Sequence, residues 1–279
     1  MKAKKILFIS QEITPYLTEG EKATIGRQLP QYAQEAGREI RTFMPKWGNI
    51  NERRNQLHEV IRLSGMNLII DDTDHPLVIK VASIQSARMQ VYFIDNDDYF
   101  QGIGNTAYND EGVREENDCR TIFYARGVLE TVKKLRWCPE IIHCQGWISA
   151  LAPLYIKTAY REEPSFMESK IVFSIFDDNL TQDLPADFAE KLLIRGTVPE
   201  DLAILGEPPY SYADLLKLAL AYSDGVILHT ENIPEPVKQY IRESGIPCIH
   251  YDTTNEDCQE KTLELYDQIW SKDKPEEEN

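Results

Sequence analysis

Lys5-Ile6-Leu7-Phe8-Ile9-Ser10 is the stretch on which the fold turns. Its four central residues are apolar without alternation, and a strand with no polar side is one covered on both faces, as in a parallel sheet between helices. Ile141 to Cys144, Ile171 to Ile175, Val226 to Leu228 and Pro247 to His250 repeat the pattern. Helical periodicities fill the gaps. Glu21 to Ala36 carries Ile25, Leu29, Tyr32, Ala33 and Ala36 at helical spacing and stops at Gly37. Further helices are expected over Glu115 to Leu135, Trp147 to about Tyr160, Tyr212 to Tyr222, and Pro236 to Glu243 ahead of Gly245. Strand alternating with helix predicts an α/β fold: a single Rossmann-like domain with a mostly parallel sheet.

Leu57 to Asp95 interrupts that rhythm. Val60 to Leu63, Leu68 to Ile70, Leu77 to Val81 and Val91 to Ile94 read as short strands, separated by Ser64-Gly65 and by Asp71, Asp72 and Asp74. Short strands joined by turns imply an antiparallel β insertion at a sheet edge. The aspartates with His75 could ligate a hard cation, but an exposed hairpin turn is the simpler account. Asn96 to Gly112 and Thr181 to Pro209 are expected to be loops. Near the end, Thr254 and Asp257 resemble a capping pair, and Thr262, Leu263, Tyr266, Ile269 and Trp270 form one apolar stripe. The expected organisation is a domain over 1–255, a docked helix over 256–271 and a disordered acidic tail over 272–279.

Composition narrows the function classes. Of 279 residues, 42% are hydrophobic and 27% charged, the balance of an ordinary globular chain. Thirty Lys and Arg against 46 Asp and Glu give a net charge of −16, which repels nucleic acid and anionic membranes alike. No apolar run approaches the ~20 residues needed to span a bilayer, so neither nucleic acid nor membrane is an expected partner, and a cytoplasmic location is expected. Five cysteines without a C-x-x-C pair suggest neither a disulfide framework nor zinc. No cofactor and no metal are assigned.

In a doubly wound sheet, ligands bind outside the carboxyl ends of the strands. That rule gathers Ser10 and Gln11, His143 to Gly146, Phe176 to Asn179, His229 and Thr230, and His250 to Asp252. Three of the five histidines fall in this set. They could form a metal site or an acid/base pair; hydrogen bonding to neighbouring groups is the simpler alternative. The first strand-to-helix junction, Ser10 to Lys22, holds one glycine and three carboxylates where a phosphate-binding loop would hold several glycines. Gln101-Gly102-Ile103-Gly104-Asn105-Thr106-Ala107 approximates a dinucleotide fingerprint with no helix pattern after it. No G-x-S-x-G elbow appears.

Lys5 to Ser10, Pro15-Tyr16, Leu29-Pro30, Phe43 to Gly48, Val91 to Asn96, Asn117 to Arg126, Pro139 to Cys144, Lys170 to Ile175 and Ala221 to Val226, in this order and spacing, resemble the N-terminal domain of bacterial glycogen and starch synthases. The resemblance covers most of the first 230 residues. It implies a GT-B fold, ADP-glucose-dependent α-1,4-glucosyl transfer, and α-glucan or nucleotide sugar as ligand. Carried over by motif, it places Thr18 and Gly20 in the first loop, His143, Gln145, Gly146 and Trp147 after a later strand, and Asp177 after the next, as substrate-binding positions. The departures are specific. Thr18 stands where the family has a lysine and Glu21 where it has a glycine. The family's His-Asp-Trp-His-Thr becomes Gln145-Gly146-Trp147-Ile148-Ser149, and its Ile-His-Asn becomes Ile175-Phe176-Asp177. A second Rossmann-like domain, which holds most of the nucleotide in the family, is expected to be missing. The resemblance therefore implies an acceptor-side domain with no catalytic residue assigned, inactive alone as a transferase, that binds α-glucan or regulates. In that binding role Tyr99, Phe100, Tyr108 and Trp147 could stack on sugar rings, or serve as core or loop anchors. Two alternatives stay open: a divergent active transferase completed by a homo-oligomer or partner chain at the former inter-domain face, and an unrelated small-molecule activity built from His143, Cys144, His229 and His250.

Overall fold

The computed structural model describes residues 1–18, 20–104, 116–178, 183–255 and 257–272, together with the backbone of 108–109 and 112–113. β1 (Lys5–Ser10) leads into α1 (Glu21–Glu35), followed by β2 (Glu39–Pro45). Then come β3 (His58–Glu59), β4 (Met66–Ile70), β5 (Thr73–Ile84) and β6 (Met89–Asp95), the short helix α2 (Asp97–Phe100), and the two-residue strands β7 (Tyr108–Asn109) and β8 (Gly112–Val113). The long helix α3 (Asn117–Leu135) precedes β9 (Ile141–Gln145), α4 (Ala152–Lys157), β10 (Lys170–Ile175), α5 (Phe188–Lys191) and α6 (Tyr212–Ala221). β11 (Gly225–Leu228), α7 (Glu235–Ser244), β12 (Cys248–His250) and α8 (Cys258–Ser271) complete it.

The main sheet runs β12-β11-β10-β9-β1-β2-β6-β5-β3, with β4 paired to β5. From β12 to β6 every pairing is parallel, and β1 lies at the centre with Phe8 opposite both Thr42 and His143. The fold is thus α/β with a mostly parallel sheet, and the continuous apolar runs are explained by its two covered faces. Ile6 and Phe8 of β1 pack under α1 and α8, with Ile25, Leu29, Leu263 and Ile269. Leu7 and Ile9 point the other way, into a larger core with Phe123, Leu129, Leu154 and Leu216. Period-two alternation assigns each strand residue to one of these layers.

Five details differ from the sequence expectation. β2 carries no continuous apolar run, because only its last four residues are buried. β6, expected inside the antiparallel insertion, pairs in parallel with β2 and antiparallel only with β5, so it is the last strand of the parallel core. Val60 to Leu63 forms a turn closed by Leu63 N–H to Val60 O, and the strand pairing there is made by His58 and Glu59. The expected hairpin is present: β4 pairs β5 across Asp71 and Asp72, both with positive φ, as an aspartate-rich tight turn permits. Trp147 to Tyr160 is a single 3-10 turn followed by α4, and short helices interrupt the expected loop over Thr181 to Pro209. The expected tail lies almost wholly outside the described residues.

The Thr254/Asp257 capping pair is not formed. Asp252 accepts instead from the Thr254 N–H and hydroxyl, and Asn255 accepts from the Asp257 N–H, so two successive Asx turns deliver the chain to α8. α8 then lies on the sheet through Leu263, Tyr266, Ile269 and Trp270, all at most 7% exposed. Asp267 fastens its outer side by accepting from the Ala3 N–H at 2.8 Å and pairing with Arg38 at 2.8 Å. Ile269→Ala is expected to cost about 2–4 kcal/mol, the range for a buried isoleucine truncated at a site that collapses poorly; urea unfolding of the variant beside the parent checks it.

Candidate functional site

The first loop is held from below. Tyr124 of α3 donates to Ser10 O at 2.7 Å, and the Trp47 indole donates to Gln11 O at 2.9 Å. α1 presses on this loop so closely that a Cβ at Gly26 would sit 2.1 Å from Glu12 O, which makes glycine obligatory there. Gly20 precedes α1 with extended backbone and no capping side chain, and Glu21 occupies the first turn. Thr18 and Gly20 are exposed.

Lys22, the second residue of α1, is ion-paired with Asp178. Its ammonium also lies over the Phe176 ring, 5.6 Å from the centroid. Asp178 is buried and accepts from the Tyr212 hydroxyl at 2.9 Å. Phe176 stacks face to face on His229, with centroids 4.1 Å apart, and Tyr251 closes on His229 at 4.8 Å. The carboxyl edge of β10 and β11 is therefore filled by an aromatic stack capped by a neutralised lysine.

Beneath this stack runs a buried hydrogen-bonded chain. Tyr266 Oη meets His143 Nδ1 at 2.6 Å, His143 Nε2 meets Ser174 Oγ at 2.6 Å, and Ser174 Oγ meets His229 Nε2 at 2.9 Å. A serine has one proton to give, so one histidine must donate to it. If Tyr266 donates to His143 Nδ1, His143 donates to Ser174 and Ser174 donates to His229, every proton is used up to His229 Nδ1. The reverse order would also leave the Tyr266 hydroxyl proton without an acceptor among the described residues. His229 Nδ1 has no partner among the described residues in either case and is buried. Burial drives His143 well below the usual imidazole range, aided by His229, and pushes His229 down to about 3. Both rings are neutral in the folded protein.

Two of the three strand-end histidines thus converge and one does not. His250 is exposed, with Nδ1 3.4 Å from Glu231 Oε1. Cys144 belongs to the opposite face of the sheet from His143, as neighbours on one strand must, and burial raises its thiol far above the ordinary value. The arrangement of His143, Cys144, His229 and His250 is therefore not a cluster. Among the described residues no group of three His, Cys, Asp or Glu could hold a metal ion.

The other sequence-derived positions separate by depth. Gln145 is buried, with Oε1 accepting from the Ser10 hydroxyl at 2.6 Å and Nε2 unpartnered. Gly146 adopts φ +83°, and a Cβ there would sit 2.4 Å from Gln11 Oε1, itself buried and unpartnered. Trp147 and Ile148 are buried in the core rather than presented to the cleft. Tyr99 and Phe100 are core residues too, packed on Phe123, so they offer no stacking platform; the Tyr108 side chain lies outside the described residues. Asp177 is exposed and accepts from Asn232 Nδ2 at 3.1 Å. Sequence reasoning placed Asp178 among the strand-end residues but missed Lys22, Ser174 and Tyr266 as its companions; Ser174 carried a signal, as a hydroxyl among the apolar residues of its strand.

A doubly wound, mostly parallel sheet defines a Rossmann-type domain, and comparison with known proteins makes the assignment specific. The family described as starch synthase catalytic domain matches residues 5–240. A glycogen synthase of Pelodictyon phaeoclathratiforme is 36% identical over 191 residues, which is 68% of this chain and 39% of that protein. One from Chlorobium limicola is 36% identical over 190 residues, with the same coverage. Among solved structures, the catalytic domain of starch synthase IV from Arabidopsis thaliana, bound to ADP and acarbose, superposes with a TM-score of 0.70 at 15% identity, covering 90% of this chain and 51% of that one. The chain belongs to the glycogen/starch synthase family. It spans about two fifths of the length of the curated relatives it matches. No helix among the described residues is long and apolar enough to cross a membrane.

Ser174→Ala is expected to destabilise the fold by about 1–3 kcal/mol by stranding two buried imidazole nitrogens, measurable by denaturant unfolding. The neutral histidines also set a pH dependence. Their folded pKa values lie below the unfolded value of about 6.5, so below that pH the unfolded chain binds more protons. Stability is full above about pH 6.5 and falls toward pH 3, by up to about 1.4 kcal/mol per pH unit per histidine. His229→Asn should flatten the melting-temperature profile in that window.

Proposed function

We propose that this chain is the acceptor-side lobe of a glycogen/starch synthase that has given up glucosyl transfer and acts as an α-glucan-binding or regulatory module. The observation that carries this reading is the Lys22–Asp178 ion pair over Phe176. Transfer from a nucleotide sugar needs free positive charge where the diphosphate departs. The cation that α1 brings to this edge is already neutralised, and Asp178 would resist a phosphate. The substitutions point the same way. Ile148 stands where the resemblance assigns a histidine and offers no hydrogen bond to a sugar hydroxyl. Phe176 replaces another histidine and fills its space by stacking on His229.

Polar groups suited to a neutral, hydroxyl-rich ligand remain at the edge. Gln11 Oε1, Gln145 Nε2 and His229 Nδ1 are buried and unpartnered among the described residues, and Thr18, Gly20 and Asp177 are exposed. The substrate-binding role of Thr18, Gly20, His143, Gln145, Gly146, Trp147 and Asp177 belongs to this proposal, with His143 and Trp147 acting through the shape of the strand end. The domain over 1–255 carries the module, and the helix over 256–271 is its brace.

Incubation of the purified chain with ADP-glucose and glycogen should incorporate no labelled glucose above the blank, while affinity electrophoresis should show retardation by soluble α-glucan. Incorporation by the chain alone, or on adding a second protein that completes the cleft, overturns the inactive reading. Unretarded migration on every α-glucan removes glucan binding.

A further inference from the structure

We infer that a second ligand site, for a phosphate monoester of a small hydroxylated molecule, lies at the amino-terminal edge of the sheet, opposite the cleft. A cavity of about 440 Å³ opens there among Gln34 of α1, Arg41 of β2, Ser83 at the end of β5, Gln85 and Arg88 in the turn after it, and Gln90 of β6. Its lining holds two arginines and no carboxylate. In a chain with 46 acidic residues against 30 basic ones, that absence is informative. Carboxylates are abundant, and elsewhere they neutralise Lys22, Arg38, Lys80 and Lys191.

Arg41 is built into place. Its guanidinium lies over the Trp137 ring at 5.1 Å, Nη1 donates to the Tyr92 hydroxyl at 3.1 Å, and Nε is buried without a partner. Glu39, two residues earlier on the same side of the strand, is engaged instead by the Trp137 indole N–H at 2.6 Å. Arg88 has left-handed backbone (φ 50°) and makes no ion pair or side-chain hydrogen bond among the described residues. Arg27 reaches the same turn, donating to Ser86 Oγ at 3.0 Å, and it too pairs with no carboxylate among the described residues. Gln34 braces the turn from α1 by donating to Ala87 O at 3.2 Å.

Two guanidinium groups, one from a strand and preset by stacking and one from the turn before β6, suit the tetrahedral oxygens of a dianion, which accept charge-assisted bonds from several directions. The cavity falls within the size range of small-molecule sites, roughly 300–1,000 Å³, and exceeds what a bare phosphate fills. Ser83, Gln85 and Gln90 offer hydroxyl and amide groups to the rest of the ligand. The inference is independent of the cleft and of the proposed loss of transfer.

Isothermal titration of the full chain at constant ionic strength, with a hexose 1-phosphate, a hexose 6-phosphate, inorganic phosphate and free hexose, tests the site. One of the two sugar phosphates should saturate at 1:1, at least about tenfold tighter than inorganic phosphate, while free hexose shows no saturation. Arg88→Gln has no internal bond to lose and should weaken binding by at least about tenfold with an unchanged melting temperature. Lys22→Ala, at the opposite edge, should leave it unchanged. Trp137 fluorescence should respond in the parent and not in Arg88→Gln. Failure of both sugar phosphates to saturate, equal binding by Arg88→Gln, loss in Lys22→Ala, or inorganic phosphate binding as tightly as the esters would each overturn the inference.

Discussion

The chain Tyr266–His143–Ser174–His229 is the constraint on which much of the structure rests. It lies on the face of the sheet shared by α1 and α8, crosses three neighbouring strands, and is nearly dry throughout. Polar groups taken out of water are tolerable only when each finds a partner. This one is satisfied only with α8 docked, because the Tyr266 hydroxyl comes from that helix. Hydrogen bonding therefore fixes the position of α8 along the strands, and apolar burial of Leu263, Ile269 and Trp270 supplies the larger share of the attraction. The same bonds order the two imidazoles and leave one unpaired nitrogen at the carboxyl edge.

What happens at that edge follows from what the sheet delivers there. His229 emerges beside Phe176 because β10 and β11 are parallel neighbours and both residues immediately follow their strands. Two flat rings so placed stack, and a stacked pair presents an electron-rich face to the nearest cation. Lys22 meets that face, and Asp178, two residues past Phe176, completes its neutralisation. The local charge is settled inside the chain, leaving unpartnered amide and imidazole groups as the remaining chemistry. At the amino-terminal edge the balance is reversed: Arg41 and Arg88 line a cavity free of carboxylates and make no ion pair among the described residues. One edge of the sheet thus pairs its lysine within the chain, and the other holds guanidinium groups without an acidic partner among the described residues.

The relatives sharpen this contrast. Their similarity accounts for the strands, the order of helices and the spacing of the loops. It does not account for Thr18, Ile148 and Phe176, where this chain departs from the motifs that its resemblance to the family carries. Each of these is accommodated without strain on the fold: Thr18 is exposed, Ile148 is in the core and Phe176 is in the stack. The scaffold is insensitive to the changes because its stability resides in the two layers flanking β1.

The alternation of continuous apolar runs with helical stripes determined the α/β class, and the family resemblance was legible in motif order. The α8 stripe was legible too, since a period near 3.6 survives whatever the helix packs on. The capping of α8 was not, because several Asp, Asn and Thr residues compete for the same few N–H groups and local sequence does not rank them. β2 escaped notice because only its second half is buried, and β6 was assigned to the wrong part of the sheet because pairing direction is not written in a strand's composition. Tertiary structure alone decided which histidines meet. His143 and His229 are 86 positions apart and Tyr266 lies on another element, so only the parallel register and the docking of α8 bring them together. Convergence of that kind depends on strand order, a property of the whole sheet rather than of any segment in it.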